Sequence, residues 1–179
     1  MKIADSQRLS FTPMTADDAQ LLFELDQDVE VMRYVSGGIT ATMKDIIERW
    51  IPRMQSYTDK EKGWGIHKVI VTATQQFIGW VLVRPMDFFG DNPELENLEL
   101  GWRFKQAAWG KGYATEAAAA IKTALAAIGK VKQFSAIAIP DNKASINIMK
   151  KLGMSYVKTD MHKDPLGDIE VAFYTQVVG

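Results

Sequence analysis

The feature that most narrows the possible folds is a run of period-two segments followed by a strand, a glycine-rich turn, a helix and another strand. Residues 64–72 and 76–84 alternate apolar and polar side chains and read as a hairpin turning near Ala73-Thr74-Gln75. Residues 95–104 keep that period, with Leu98, Leu100, Trp102 and Phe104 on one face and Glu99, Gly101 and Arg103 on the other. A helix is expected at about 112–129 and a strand at 132–139, stopped by Pro140. A hairpin demands antiparallel pairing, whereas the strand–helix–strand unit at 98–138 demands a parallel crossover. The expected fold class is therefore α/β (mixed α+β): a central mixed, mostly antiparallel sheet of six to seven strands with helices on both faces.

The remaining elements fit around that unit. Residues 7–14 read as a strand. Thr15 with Asp18, and Thr42 with Asp45, resemble capping boxes in which Asp replaces Glu. The first precedes Ala19, Leu22 and Phe23 on one helical face; the second precedes Met43, Ile46, Ile47, Trp50, Ile51 and Met54 at helical spacing. Pro52 lies inside that second pattern and is expected to kink it. A short helix at 29–35 ends at Ser36-Gly37-Gly38. The helix after Gly112 should bury a stripe of Tyr113, Ala117, Ala120, Ile121, Ala124 and Ile128. A helix at 142–152 stops at Gly153, and strands at 154–160 and 169–177 finish the chain.

Length and composition bound the function. At 179 residues the chain suits a single domain, 1–179. It has no cysteine, and His67 (expected in a strand) and His162 (expected in a loop) fit no ligand spacing, so no metal is expected. The formal net charge of −1 argues against nucleic acid as a partner. No apolar run approaches the roughly 18 residues that span a bilayer, and the first residues hold no signal-peptide core. The expectation is a cytoplasmic protein without a membrane partner, monomeric or homodimeric.

Trp109-Gly110-Lys111-Gly112-Tyr113-Ala114-Thr115-Glu116 lies between a strand and a helix. Glycines there let the backbone turn sharply, and the amides they expose, with the helix N-terminus, suit a phosphate or diphosphate. The same turn also serves as a plain joint between strand and helix. A Walker A loop would need Ser or Thr where Gly112 stands, and a dinucleotide fingerprint a third glycine where Thr115 stands.

This segment resembles the acyl-CoA diphosphate loop of the GNAT superfamily of N-acetyltransferases, written Gln/Arg-x-x-Gly-x-Gly/Ala, with Trp109 departing at the first position. Trp-Gly-Lys-Gly-Tyr-Ala-Thr-Glu-Ala is similar to the ribosomal-protein alanine acetyltransferase (RimJ/RimL-like) type. Segments 28–34, 77–80, 99–102, 142–145 and 151–154 resemble that branch in the same order. The resemblance implies a GNAT fold, acetyl-CoA as donor, and transfer of its acetyl group to a primary amine by direct attack. Residues 109–114 would bind the diphosphate, joined by Thr115 at the helix start. Trp102, Arg103 and Phe104 would line the pantetheine arm, and Asn142 would hydrogen-bond to it, although Asn142 is also a good helix cap.

A base is needed because an α-amine titrates near about 8 and a lysine near about 10.4. Glu99 is the candidate, acting directly or through water, and it also serves as a substrate contact. Many GNAT enzymes use a tyrosine as general acid; counting back from Gly153 that position is Met149, so Ser145 is nominated in both an acid and a cofactor-binding role. A first-turn serine also commonly bonds to the backbone. Tyr34 is expected at the acceptor side, and Trp50 either there or in the core. Asp87, Asp91, Glu94, Glu96 and Glu99 fall between Pro85 and Trp102 without an intervening base; they either steer a cationic amine or simply face water. The acceptor would be a protein N-terminus or a small cationic amine such as a polyamine or antibiotic. The rival reading is an acyl-CoA sensor without turnover.

Overall fold

The computed structural model describes residues 1–178. Its seven strands are β1 (Leu9–Pro13), β2 (Gly65–Val71), β3 (Gln76–Met86), β4 (Glu94–Phe104), β5 (Gln133–Ala138), β6 (Ser155–His162) and β7 (Ile169–Val177). They form one sheet in the order β1-β2-β3-β4-β5-β7-β6. Every neighbouring pair is antiparallel except β4 with β5, the crossover pair. The helices are α1 (Ala19–Leu25), α2 (Val29–Ser36), α3 (Met43–Asp45), α4 (Ile51–Tyr57), α5 (Tyr113–Ala126) and α6 (Lys143–Lys151). This is the mixed, mostly antiparallel α/β architecture expected from the sequence.

Alternation along the strands divides the core in two. Val81 and Val83 of β3, with Leu98, Leu100 and Phe104 of β4, pack with Ala117, Ala118, Ile121 and Leu125 of α5 and with Ile146 and Met149 of α6. Trp80 of β3 faces the other way, with Leu22, Leu25, Val31, Ile46 and Met54 from α1 to α4. Burying Ile121 or Leu125 contributes about 1.5–3 kcal/mol each, and the alanines beside them let α5 lie close to the sheet. The buried face of α5 is thus centred on 117, 118, 121 and 125; Ile128, expected in the stripe, lies beyond the helix end and is exposed.

Both capping boxes form. Asp18 accepts from the Thr15 amide at 2.8 Å and Asp45 from the Thr42 amide at 2.9 Å. The first opens a single 3-10 turn (Ala16–Asp18) before α1 begins. Pro52 produces a π-helical turn instead of a simple kink: Ile46–Trp50 is wound with i→i+5 bonds directly before α4, which carries Pro52 in its first turn. Proline has no N–H to give and crowds the carbonyl four residues back, and a wider turn absorbs both defects. β3 runs on through Pro85 to Met86, and the register shifts at that proline. His162 ends β6 and is buried, so it belongs to a strand and not to a loop.

Candidate active site

The parallel pairing of β4 and β5 covers only Asn97↔Gln133, Leu98↔Phe134 and Glu99↔Ser135. Beyond Glu99, β4 continues to Phe104 and β5 to Ala138 without pairing, so the two strands splay. A cleft of about 640 Å³ opens in the fork. Leu100 to Phe104 form one wall and Ile137 to Ile139 the facing one; the start of α5 closes one end, and Val31, Tyr34 and Val35 of α2 cover another side. Main-chain groups on the open edge of β4 there lack the strand partner that β5 gives to 97–99.

The turn between β4 and α5 is built from its glycines. Gly110 and Gly112 have φ of 71° and 77°, which side chains with a Cβ rarely adopt. Gly112 is the N-cap of α5 and carries no side-chain cap, so the first amides of a fourteen-residue helix are left to an outside acceptor. Trp109 is half exposed, and its Nε1 donates to the Phe104 carbonyl at 2.9 Å, tying the turn to the end of β4. Gly110, Gly112, Tyr113, Ala114 and Thr115 all line the cleft together with Trp109. Lys111 does not line it; its carbonyl is turned to Arg8 Nη1 at 3.0 Å. The cradle has the donor chemistry that a diphosphate requires.

Opposite lies the start of α6. The Asn142 side-chain oxygen accepts from the Ser145 amide at 3.2 Å, so the cap expected of Asn142 forms, and its amide nitrogen stays free to donate into the cleft it lines. Trp102 Nε1 donates to Ser145 Oγ at 3.2 Å across the fork. A hydroxyl that accepts from an indole keeps its own hydrogen for another partner. Met149 is buried in the core and lines no part of the cleft, and its thioether has no proton to give.

Several expected side chains reach the site only in part. Arg103 lines the cleft, but its guanidinium donates to Asp26 at 2.7 Å and lies 5.0 Å from the Trp80 ring centroid. Phe104 is buried at the end of β4. Glu99 is buried on the α4 side of the sheet, at the vertex of the fork, where Arg84 Nε donates to its Oε2 at 2.7 Å; it is not a cleft-lining residue. Tyr57 packs beside this pair, and burial, partly opposed by Arg84 and Arg53, pushes its phenol up to about 12. Trp50 belongs to the edge of the α1–α4 core. None of Asp87, Asp91, Glu94 and Glu96 lines the cleft, and Glu96 is paired with Lys132 at 2.7 Å.

Two features had no signal in the sequence. Arg8 of the N-terminal segment pairs with Glu116 of α5 at 2.7 Å across the sheet edge. Trp80 lines the cleft, and its Nε1 is a buried donor without a partner among the described residues. Among those residues, no helix is long and apolar enough to cross a membrane.

Over residues 8–155 the chain matches the family described as acetyltransferase (GNAT) domain. It is 33% identical over 150 residues to the uncharacterised protein YkkB of Bacillus subtilis, covering 80% of this chain and 78% of that protein. An acetyltransferase (GNAT family) from Bacillus anthracis shares the fold with a TM-score of 0.76 at 24% identity, covering 99% of this chain and 98% of that one. The ribosomal α-N-protein acetyltransferase RimL, solved with coenzyme A, matches with a TM-score of 0.76 at 12% identity over 99% and 98% of the two chains. The aminoglycoside acetyltransferase AAC(6')-Ib, also solved with coenzyme A, matches with a TM-score of 0.75 at 16% identity over 94% of each. The likeness thus extends to enzymes of two acceptor classes and does not single out the ribosomal-protein type.

Proposed function

We propose, for a chain that belongs to the acetyltransferase (GNAT) family and is an acetyl-CoA-dependent acyltransferase, that it moves the acetyl group by direct attack onto a protein or peptide N-terminal α-amine. Bound acetyl-CoA supplies the thioester that is attacked. The observation that carries the reading is the fork between β4 and β5, which runs from the uncapped start of α5 to the cover formed by α2.

Each residue then has one task. The amides of Gly110 and of 112–115 hold the diphosphate. Free main-chain N–H groups on the edge of 100–104 stabilise the oxyanion, and because they are fixed in the strand they need no reorganisation. Ser145, held by Trp102 Nε1, relays the second proton: its hydroxyl gives a hydrogen to the departing thiolate as it takes one from the nitrogen of the tetrahedral intermediate, and the thiolate needs little help because a thiol titrates near about 8.5. Glu99 takes the ammonium proton through water, since it lies at the vertex and not on the cleft wall. Asn142 donates its free amide N–H to the pantetheine arm.

Charge favours a single α-amine over a polycation. Among the described residues the one acid lining the cleft is Glu30, and Arg33 pairs with it at 2.9 Å; Arg33, Arg103 and Lys151 also line the cleft. An aminoglycoside or polyamine carries several positive charges and would meet no unpaired carboxylate on that lining. The apolar wall of Val31, Tyr34 and Val35 suits a peptide's first side chains.

The test is release of coenzyme A thiol with a panel of peptides, polyamines and aminoglycosides. Acceptor-dependent release that prefers peptides is expected. Preference for a polycation would remove the peptide assignment, and tight acetyl-CoA binding with no release would favour a sensor. Glu99→Gln should lower kcat far more than cofactor affinity, and equal loss of both would reject the base. Ser145→Ala should slow turnover at saturating donor, and an unchanged kcat would reject the acid.

A further inference from the structure

The turn at 109–114 has two glycines and little of its own to fix its shape. Nothing lies within 4 Å of where a Cβ on Gly110 would stand. Beyond the Trp109 bond to the Phe104 carbonyl, the turn is held by the segment that leads into β1. Ser6 Oγ donates to Glu116 Oε1 at 2.7 Å, the Arg8 amide donates to the same oxygen at 2.8 Å, and Arg8 Nε donates to Glu116 Oε2 at 2.7 Å. Both carboxylate oxygens of Glu116 are therefore occupied, and the guanidinium is aimed. Its Nη1 then reaches the Lys111 carbonyl at 3.0 Å, while its central carbon lies over the Tyr113 ring, 4.4 Å from the centroid.

We propose that Arg8, aimed by Glu116, is a positioning residue for coenzyme A: it holds the Lys111 carbonyl outward so that the Gly112 amide faces the diphosphate. The inference rests on the reading of this turn as the diphosphate site. The geometric reason is the trans peptide. In a planar trans unit the C=O and the following N–H point in opposite directions, and no peptide in the described chain is cis. Fixing Lys111 O on Arg8 fixes the Gly112 N–H on the other side, where Gly112 lines the cleft and Lys111 does not.

Charge gives the pair a second purpose. Glu116 lies in the first turn of α5, beside amides that are to receive an anion. Unpaired, its carboxylate would repel the diphosphate. Paired with Arg8 it is neutralised, while the same guanidinium reaches Lys111. Removing Arg8 therefore costs twice, by releasing the turn and by baring an anion.

The experiment titrates the full chain with coenzyme A by calorimetry and with pantetheine, which lacks every phosphate, by amide chemical shifts. The variants are Arg8→Met, Arg8→Lys, Glu116→Gln and Gly112→Val, each checked for its urea midpoint. Arg8→Met should weaken coenzyme A about 10- to 100-fold, the worth of one or two aligned bonds to a charged group, with pantetheine affinity within about twofold of wild type. Arg8→Lys keeps the charge without the fork and should fall between. Glu116→Gln should weaken coenzyme A less than Arg8→Met, because it loses the aim without baring an anion. A merely structural role would weaken both ligands alike, which overturns the proposal, as does unchanged coenzyme A affinity in Arg8→Met. Gly112→Val separates the two readings. If it abolishes coenzyme A binding while Arg8→Met does not weaken it, the clamp fails and the turn assignment stands; if it leaves binding intact, the turn assignment itself fails.

Discussion

Gly79 of β3 is the residue whose replacement should be felt furthest from its own position. Its φ is 155°, and a Cβ built on it would stand 2.4 Å from the Arg103 carbonyl, 2.7 Å from Phe104 Cα and 2.8 Å from Phe104 Cδ1. Two of those atoms are backbone of β4, so no side-chain rotation relieves the contact. Gly79→Ala forces either an unfavourable backbone conformation, at about 1–3 kcal/mol, or displacement of β4, at a similar cost for overpacking. By either route the expected loss of stability is about 1–3 kcal/mol, read as the shift in urea midpoint at constant slope. The damage should also reach the cofactor. Phe104 is paired with Gly79 in register, and its carbonyl accepts from Trp109 at the head of the glycine turn. Coenzyme A affinity should therefore fall in the folded fraction of the variant. A midpoint change worth less than about 0.5 kcal/mol would refute the close approach of β3 and β4 at this point. A large change with undiminished coenzyme A affinity would refute the mechanical link from Phe104 to the turn.

Further tests address the interior. Met149→Tyr puts a phenol into a packed core position and should cost about 1–3 kcal/mol without raising kcat; a faster enzyme would show that position 149 reaches the thiolate after all. His67 is buried, and desolvation holds its imidazole below the ordinary value of 6.5 although its Nε2–H donates to the Gly63 carbonyl at 3.0 Å. As pH falls below about 6.5 the unfolded chain takes up a proton that the folded one refuses, so stability should decline from there. His67→Gln should flatten that decline in urea midpoints measured between about pH 7 and 5, and an identical slope would assign it to another group. Burial alone would raise the carboxyl of Glu116, but the bonds from Ser6 and Arg8 outweigh it and hold it below 4.5. A depressed carboxyl contributes stability that is complete above its unfolded value and lost as pH falls through the folded one. Glu116→Gln should therefore lose less stability than wild type on acidification below about pH 4.5, and parallel profiles would count against the pairing.

What could be read from the sequence was local. Thr15 with Asp18 and Thr42 with Asp45 lie three residues apart, and both boxes close as written. The hairpin turn forms around Gln75, which adopts a φ of 56°. The β4–turn–α5–β5 unit gave both the parallel pair and the cleft, because the connection itself dictates the pairing. Ser145, Asn142 and Trp102 came from resemblance, and the fold brings them to one cleft. What was hidden depends on partners distant in sequence. Arg8 and Glu116 are 108 residues apart, and no periodicity links them. The Arg84 that occupies Glu99 is reached only through the β3–β4 register. The π-turn was hidden for a different reason: apolar spacing at 46–54 fits an α-helix equally well, and only the packing shows how the chain accommodates Pro52.

The fork has a mechanical consequence. β1 to β4 form one blade and β5, β7 and β6 another, and the sheet joins them through only three residue pairs at 97–99 and 133–135. The Ser135 hydroxyl donating to Asn97 at 2.8 Å acts as a rivet at that pivot. From Glu99 β4, unpaired on its β5 side but still held by β3, extends five residues to Phe104, a lever of roughly 17 Å at strand rise. A rotation of about 3° at the pivot therefore changes the mouth by about 1 Å. The width of the mouth is thus set mainly by the side chains of α5 and α6 that pack on both blades, and substitutions there act on the cleft at a distance.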